Sequence, residues 1–378
     1  MSMNLSYWEK STFFNFDIIV IGSGIVGLNA AIHLKKASPM LKILVLERGF
    51  LPSGASTKNA GFACFGSVSE LIEQEGVCGT EGLQILIEKR YKGLLKLRNL
   101  LGDVIIDYKQ FGGYELFRKS DNELTEQCVS KIEHFNKLIS EIVGTKAFCS
   151  KNEKINSFGF KGIENLIFNQ YEAQIDTGKT MFALIQFAQS IGISILNSCD
   201  VEEILPESNR IVINTNQGQF SCKRAIVATN AFTKSILPDL DVVPGRGQVI
   251  VTKPIKNLKL KGTFHYDKGF YYFRNINNRV LLGGGRNLDF KTEETTAFGQ
   301  TPVVQKALET LLRQTIIPNT QLEIDHRWSG IMAFGKYLEP IITEALPNVF
   351  CAVRCNGMGV AMGSQNGTDV AELVVKSL

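Results

Sequence analysis

The chain has 378 residues, 44% hydrophobic and 21% charged, the make-up of an ordinary globular protein and not of a disordered or fibrous one. That length exceeds what one core usually supports, so two intimately joined domains are expected, with room for a large ligand between them. Its 41 basic and 37 acidic residues give a formal net charge of +4, with no basic arm or stripe suited to phosphate backbones, which excludes nucleic acid as a partner.

At the N-terminus, residues 1–16 mix Glu9 and Lys10 with aromatic residues and lack the basic segment, apolar run and cleavage site of a signal peptide. Asp17-Ile18-Ile19-Val20-Ile21 is rich in β-branched residues, the pattern of a strand buried on both faces of a parallel sheet. It ends at Gly22, and residues 24–37 carry Ile25, Leu28, Ala31, Ile32 and Leu34 at helical spacing without proline. Lys42-Ile43-Leu44-Val45-Leu46-Glu47 then completes a β-α-β unit of about 30 residues. Residues 80–101 and 124–142 read as amphipathic helices around a strand-like piece at 112–117. A helix over 176–191 and strands over 193–196, 211–215 and 225–228 return the chain to the first sheet. Strands over 249–252, 269–274 and 280–282 read as antiparallel, the last two joined through Asn277-Asn278, a pair that tolerates positive φ. A strand over 348–354 and a helix over 360–378 close the chain back on the first sheet. The lysines at 253, 256, 259 and 261 read as a solvated loop.

The cysteines at 64, 78, 128, 149, 199, 222, 351 and 355 are dispersed and read as reduced thiols. With no CxxC pair or histidine cluster beside them, no metal is expected. No apolar stretch approaches the roughly 20 residues that span a bilayer, so a cytoplasmic protein without a transmembrane segment is expected.

Gly22-Ser23-Gly24-Ile25-Val26-Gly27 matches GxGxxG directly after a buried strand and at the opening of a helix, the setting of a dinucleotide site. Gly22 permits the tight turn, Gly24 lets a pyrophosphate approach the backbone, and Gly27 lets helix and strand pack closely. The helix N-terminus offers free N–H groups to the phosphates. Glu47 closes the second strand 20 residues after Gly27, where a carboxylate accepts from both ribose hydroxyls and repels a 2′-phosphate, which disfavours NADP. The alternative is a plain strand-to-helix turn with Glu47 as a solvated strand end. The motif does not separate FAD from NAD.

The segment Pro52-Ser53-Gly54-Ala55-Ser56-Thr57-Lys58-Asn59-Ala60-Gly61 resembles the flavin-contacting loop of the D-amino acid oxidase superfamily. Ala225-Ile226-Val227-Ala228-Thr229-Asn230-Ala231 is similar to that family's strand ending in Ala-Thr-Asn, Pro244-Gly245-Arg246-Gly247-Gln248 to its Arg-Gly-Gln turn, and Arg327-Trp328-Ser329-Gly330 to its Trp-x-Gly segment. With Asn356-Gly357-Met358-Gly359 these pieces span nearly the whole chain in order. Glycine oxidases, monomeric sarcosine oxidases and bacterial γ-glutamylputrescine oxidoreductases are the members it most resembles. The resemblance implies an α/β (α+β overall) fold. A Rossmann-like FAD-binding domain would take residues 14–80, 150–240 and 325–378, interleaved with an antiparallel-sheet substrate domain of 81–149 and 241–324.

The same resemblance implies FAD contacts from Gly22, Gly24, Ile25, Gly27, Glu47 and Arg48. Further contacts come from Ser56, Thr57, Asn59, Ala60 and Gly61, from Val201, Thr229 and Asn230, and from Gly330. Asn356, Gly357, Met358, Gly359 and Val360 complete the set. The flavin is expected to be non-covalent, because the family's attachment cysteine follows Trp-x-Gly, where this chain runs Ser329-Gly330-Ile331-Met332-Ala333. At the C-terminus the glycines would let the backbone approach the ring, and the helix starting near Met358 would direct its positive end there.

In the flavin amine oxidases that the chain resembles, hydride passes from substrate carbon to flavin and the imine hydrolyses in water, so no obligatory acid–base residue is implied. None of His33, His134, His265 and His326 is assigned a catalytic role. Met332 stands where glycine-oxidase-like proteins place a carboxylate-binding arginine, and Leu281 where sarcosine oxidases place an oxygen-activating lysine, which leaves oxidase and dehydrogenase both open. Arg286, after Gly283-Gly284-Gly285, is the candidate anchor for a substrate's acidic group, with Tyr271 facing the substrate. Arg274 is set aside because strand parity points it away from Tyr271, and Arg327 because it precedes a core tryptophan. The expected partners are a small amine or amino acid and an electron acceptor, oxygen or another. Oxidation of a 2-hydroxy acid or polyol, a flavin-binding module without activity, and an NAD-dependent dehydrogenase are the alternatives.

Overall fold

The β-branched run near the start folds as the strand Asn15–Ile21, its last four residues buried. In the computed structural model, which describes residues 6–318 and 320–378, this strand sits inside an eight-stranded sheet; the first five residues of the N-terminal stretch lie outside the described part. Ile43–Leu46 pairs with it in parallel on one side and Gly218–Val227 on the other. Ser194–Leu196 and Val349–Val353 extend the parallel array outward, and Ile341–Leu346 adds an antiparallel edge. Val201–Pro206 and Ile211–Thr215 form an antiparallel ribbon continuing from Gly218–Val227. Because the central strands are covered on both faces, each reads as a continuous apolar run. The helices Ile25–Ala37, Thr177–Ser190 and Gly359–Lys376 supply one cover.

The second sheet also has eight strands, in the order Ile324–Phe334, Val243–Thr252, Arg279–Gly284, Tyr271–Ile276, Thr263–Tyr266, Gly113–Arg118, Ile163–Asn169 and Phe148–Ser150. All its pairings are antiparallel except Thr263–Tyr266 with Gly113–Arg118. The Asn277-Asn278 hairpin forms as expected, with φ of 48° and 57°. Two boundaries differ from the sequence reading. Ile163–Asn169 and Ile324–Phe334 fall within ranges assigned to the nucleotide-binding part, yet both hydrogen-bond into the second sheet. Neither alternates cleanly, with burial of B-e-i-B-B-i-B in the first and polar residues filling the start of the second. Pairing with a neighbour, not periodicity, makes them strands.

The helix expected from residue 80 begins earlier, as Val68–Leu101, and its path breaks at Gly79, whose φ of 72° is not helical. Glycines at 76, 79 and 82 hide its first three turns from a periodicity argument. Between the two sheets runs a two-stranded ribbon, Phe62–Ala63 with Ala173–Gln174. Among the described residues no helix is long and apolar enough to cross a membrane, and all eight cysteines are unpaired.

Candidate active site

A cavity of about 560 Å³ runs between the two sheets. One end is built by the glycine loop. Gly22 turns with φ +104°, and a Cβ there would lie 2.8 Å from the Ala228 carbonyl oxygen. A Cβ on Gly27 would lie 2.0 Å from the Gly22 carbonyl oxygen, so Gly27 serves helix–strand packing beneath the loop and not the cavity surface. Glu47, 6% exposed, lines this end and accepts from Ser23 N (3.2 Å) and Ser23 Oγ (2.7 Å) through one oxygen. Its other oxygen accepts from Gly49 N (3.0 Å) and Ser53 Oγ (3.3 Å). Ser56 Oγ accepts from Ile25 N at 2.9 Å, and Arg48 stacks on Phe232 at 3.6 Å.

The other end is framed by the 54–62 loop, the 356–360 turn and the second sheet. Asn59 staples the loop: its Oδ1 accepts from Gly61 N (2.8 Å) and Thr177 Oγ1 (2.9 Å). Trp328 Nε1 donates to Lys58 O at 2.9 Å, which ties the Trp-x-Gly strand to the same loop. Asn230, at φ 48°, accepts from Arg354 N and joins the Ala-Thr-Asn strand end to the C-terminal turn. The helix Gly359–Lys376 starts without a side-chain cap, and Gly359, Val360 and Ala361 line the cavity, so its unpaired N–H groups and positive dipole end face inward.

Strand parity decides what the second sheet presents. Tyr271 and Phe273 point into the apolar core beyond the sheet, with Phe264 and Leu282. Tyr272 lines the cavity instead, its ring lying against Gly283, where a Cβ would come within 2.5 Å of the ring. Tyr271 is therefore corrected to Tyr272 as the tyrosine facing the cavity: residues one apart on a strand face opposite sides. Burial pushes the Tyr272 hydroxyl up to about 12, so it stays a neutral donor. Arg286 lines the cavity, packed against Phe334 (4.1 Å) and Phe290 (4.8 Å). Burial lowers its pKa, opposed by Glu293 and Glu294. Glu293 itself is bonded by Arg246 at 2.7 Å on the other face of the sheet.

The sequence reading missed a buried polar layer behind Phe62. His265 lines the cavity and is 4% exposed; its Nε2 lies 3.0 Å from Glu172 and its Nδ1 3.5 Å from Glu70. Thr263 Oγ1 donates to Glu172 at 2.6 Å. Glu115 accepts from Ser69 N at 3.2 Å and from Ser69 Oγ. Burial pushes the His265 imidazole down, but the charges of Glu172, Glu70 and Glu115 outweigh it and raise the group to about 9. Burial raises Glu115 to about 7 against its Ser69 hydrogen bonds. Cys64 lies with Glu172 and His265 inside 4.8 Å. His265 Nε2 is hydrogen-bonded to Glu172 at 3.0 Å, and an imidazolium there uses both ring nitrogens as donors.

Residues 17–373 match the DAO family, described as FAD dependent oxidoreductase. The chain belongs to this family. γ-Glutamylputrescine oxidoreductase of Escherichia coli (strain K12) is 24% identical over 95% of this chain and 83% of its own length. Glycine oxidase of Geobacillus kaustophilus is 23% identical over 95% and 93%. The bifunctional protein ThiO/ThiG of Synechocystis sp. is 25% identical over 63% of this chain, which spans only 33% of that longer protein. Among solved structures, L-proline dehydrogenase from P. horikoshii superposes with a TM-score of 0.77 at 20% identity, covering 96% of this chain and 94% of the other.

As a DAO-family FAD-dependent oxidoreductase, the chain offers a cradle that fits the cofactor on its own geometry. Two helix N-termini open into one cavity, and at Gly357 (φ +79°) a Cβ would meet only Met332 Sδ at 3.9 Å, which leaves that wall open to a flat ring. Of the residues expected to hold FAD, all line the cavity except Gly27 and Thr57. Thr57 turns its hydroxyl onto Pro52 O at 2.6 Å and is corrected to a loop staple. Met332 lines the cavity, whereas Leu281 does not, being buried against Val249, Val251 and Ala60. Arg274, two residues on from Tyr272, lies on the strand face that Tyr272 presents to the cavity.

Proposed function

We propose that this protein oxidises a C–N bond of a small amine or amino acid bearing an acidic group, with a non-covalent FAD as hydride acceptor. The observation that carries the reading is Arg286. Its guanidinium stands at the cavity wall between two aromatic rings and, among the described residues, pairs with no carboxylate. Its planar fork suits a carboxylate, which it can bind through two parallel hydrogen bonds. The names of the relatives, γ-glutamylputrescine oxidoreductase, glycine oxidase and L-proline dehydrogenase, support an amino compound as substrate.

The nucleotide part of FAD would lie along Gly22, Gly24 and Glu47, and its ring between Gly61, Gly330 and Gly357, with the substrate roofed by the second sheet. Bound FAD supplies the two-electron acceptor for the hydride. Arg286 would fix the acidic end of the substrate, the neutral Tyr272 hydroxyl would donate to a polar group beside it, and Met332 and Phe334 would exclude water. The uncapped start of Gly359–Lys376 would stabilise negative charge developing on the ring. Water then hydrolyses the imine outside any requirement for a side-chain acid.

Non-covalent attachment is supported by the thiols at the cavity. Burial raises Cys64 well above the usual range, raises Cys199, and pushes Cys355 up to about 11, so little thiolate is present to attack a flavin methyl group. Eight unpaired cysteines are in keeping with a reducing, cytoplasmic location. The test is an anaerobic screen of amines, amino acids and 2-hydroxy acids for bleaching of the flavin spectrum, followed by admission of air to separate oxygen from other acceptors. Bleaching by an amino compound with an acidic group supports the reading. Bleaching by hydroxy acids alone, or by nothing in the panel, overturns it.

A further inference from the structure

Among the described residues, three of the four buried arginines make side-chain hydrogen bonds, and Arg274 makes none. Arg246 pairs with Glu293 and Arg354 with Asp241, and Arg90 donates to Phe65 O at 2.7 Å and to Gln74 at 2.8 Å. Arg274 is 3% exposed and its buried Nε has no partner. Among the described residues no carboxylate makes an ion pair with it. The acids acting on it are Asp176 and Asp107, of which the first caps the helix Thr177–Ser190 and the second contacts Lys109 and Lys179.

Its location gives the unpaired charge a use. Arg274 stands in the middle of the second sheet, opposite Thr263 and Leu281, on the face that presents Tyr272 to the cavity. Its Nη2 lies 2.9 Å from where a Cβ of Gly61 would be, and Gly61 itself lines the cavity. The Gly61 backbone is held rigidly there: its N–H donates to Asn59 and its carbonyl accepts from Ile175 N at 2.9 Å. A guanidinium therefore backs the wall at the end of the cavity remote from the phosphate-binding loop. Burial lowers its pKa to about 10, which leaves it charged through the neutral range. A buried charge without a counter-charge is destabilising in an isolated protein; it is compensated when negative charge forms on the other side of a thin, water-free wall.

We propose that Arg274 is a positioning residue that acts across the Gly61 backbone to stabilise the reduced flavin and so raises its reduction potential. Hydride transfer brings two electrons and one proton from the substrate carbon to the ring; the substrate leaves as an imine or iminium, and the ring gains one negative charge. Arg274 touches neither substrate nor reacting atoms, and its effect is on the equilibrium between the oxidised and reduced ring. This inference rests on FAD occupying the cavity as proposed above.

The experiment measures the midpoint potential of the FAD-loaded protein by dye-coupled anaerobic reduction, for the parent, Arg274→Met and Arg274→Lys, with FAD content determined in each sample. Removing the charge should lower the ratio of reduced to oxidised flavin at a fixed potential on the order of tenfold, equivalent to about 30 mV for a two-electron couple. Lysine, which keeps the charge, should stay within about twofold of the parent. If the methionine protein does not fold, Arg274→Gln against Arg274→Lys provides the same comparison, since both keep polar ends in the same space. FAD-loaded variants with the parent potential, or a lysine variant as low as the neutral one, would overturn the proposal. A parent that takes up no FAD would instead remove the cofactor reading on which it rests.

Discussion

Replacing Glu47 by glutamine perturbs two things that the structure separates. The carboxylate accepts four hydrogen bonds, two through each oxygen. An amide keeps only one accepting end. If its oxygen stays on Ser23, where the shortest contact of 2.7 Å lies, its NH2 group faces Gly49 N–H and Ser53. The serine hydroxyl can reverse and accept; the Gly49 N–H cannot, and it is left without a partner. Leaving such a donor unpaired costs about 1–3 kcal/mol, at the lower end here because Gly49 is only half-buried. Loss of the charge facing the ribose removes a further bond to a charged group, about 1.5–3 kcal/mol, so FAD affinity should fall by roughly one to two decades. Fluorescence titration of the apoprotein with FAD gives the affinity, and thermal unfolding of the apoprotein isolates the loop contribution. Unchanged affinity together with a lowered melting point would show that Glu47 only staples Ser23 to the 49–53 turn, and the ribose assignment would fail.

Arg286→Met should raise the dissociation constant of a bleaching, acid-bearing substrate by about two decades while flavin affinity and spectrum stay as in the parent; unaltered half-saturation for bleaching would reject the anchor. Acid precipitation should release all the yellow colour into the supernatant, and colour retained on one peptide after protease digestion would contradict non-covalent binding. Stability should fall as pH rises. His265, at about 9 in the folded chain against an ordinary 6.5, contributes stability that is full below about 6.5 and lost through 9. Glu115, raised from 4.5 to about 7, acts in the same direction across that lower window, because the folded chain resists ionising a buried carboxyl. Together these should amount to several kcal/mol, each displaced unit being worth about 1.4 kcal/mol. Chemical denaturation between pH 5 and pH 9.5 measures it, and a flat profile, or one that His265→Gln leaves unchanged, would refute the ion-pair description.

Much of the nucleotide half is local in the chain. The strand, glycine turn and helix lie within 23 residues of one another, from Asn15–Ile21 to Ile25–Ala37, and steric demands at Gly22 and Gly27 operate between near neighbours, so residue type alone marks them. The Asn277-Asn278 turn is legible for the same reason. The 52–61 loop is legible by its likeness to a family, and the structure explains why such a loop is distinctive: Asn59 fixes its backbone from within and Trp328 from outside.

What faces the cavity on the second sheet was not local. A strand alternates every residue, and Tyr271-Tyr272 offers an aromatic hydroxyl on either face; only pairing with Gly283, which leaves room for the ring of Tyr272, decides which one lines the site. The polar layer of Glu70, Glu115, Glu172 and His265 has no sequence signature at all. Its members lie on a helix, two strands' worth of separate chain and a ribbon end, and they meet because Thr263–Tyr266 pairs in parallel with Gly113–Arg118 and the ribbon passes over both. Burial beside carboxylates, which raises His265 and Glu115, is a property of that packing, and so is the unpaired state of Arg274. Sequence by itself determined the β-α-β unit and where phosphates can approach the backbone, since those follow from neighbouring residues; long-range strand pairing decided which side chains meet the substrate, since a shift of one residue in register turns every side chain to the opposite face.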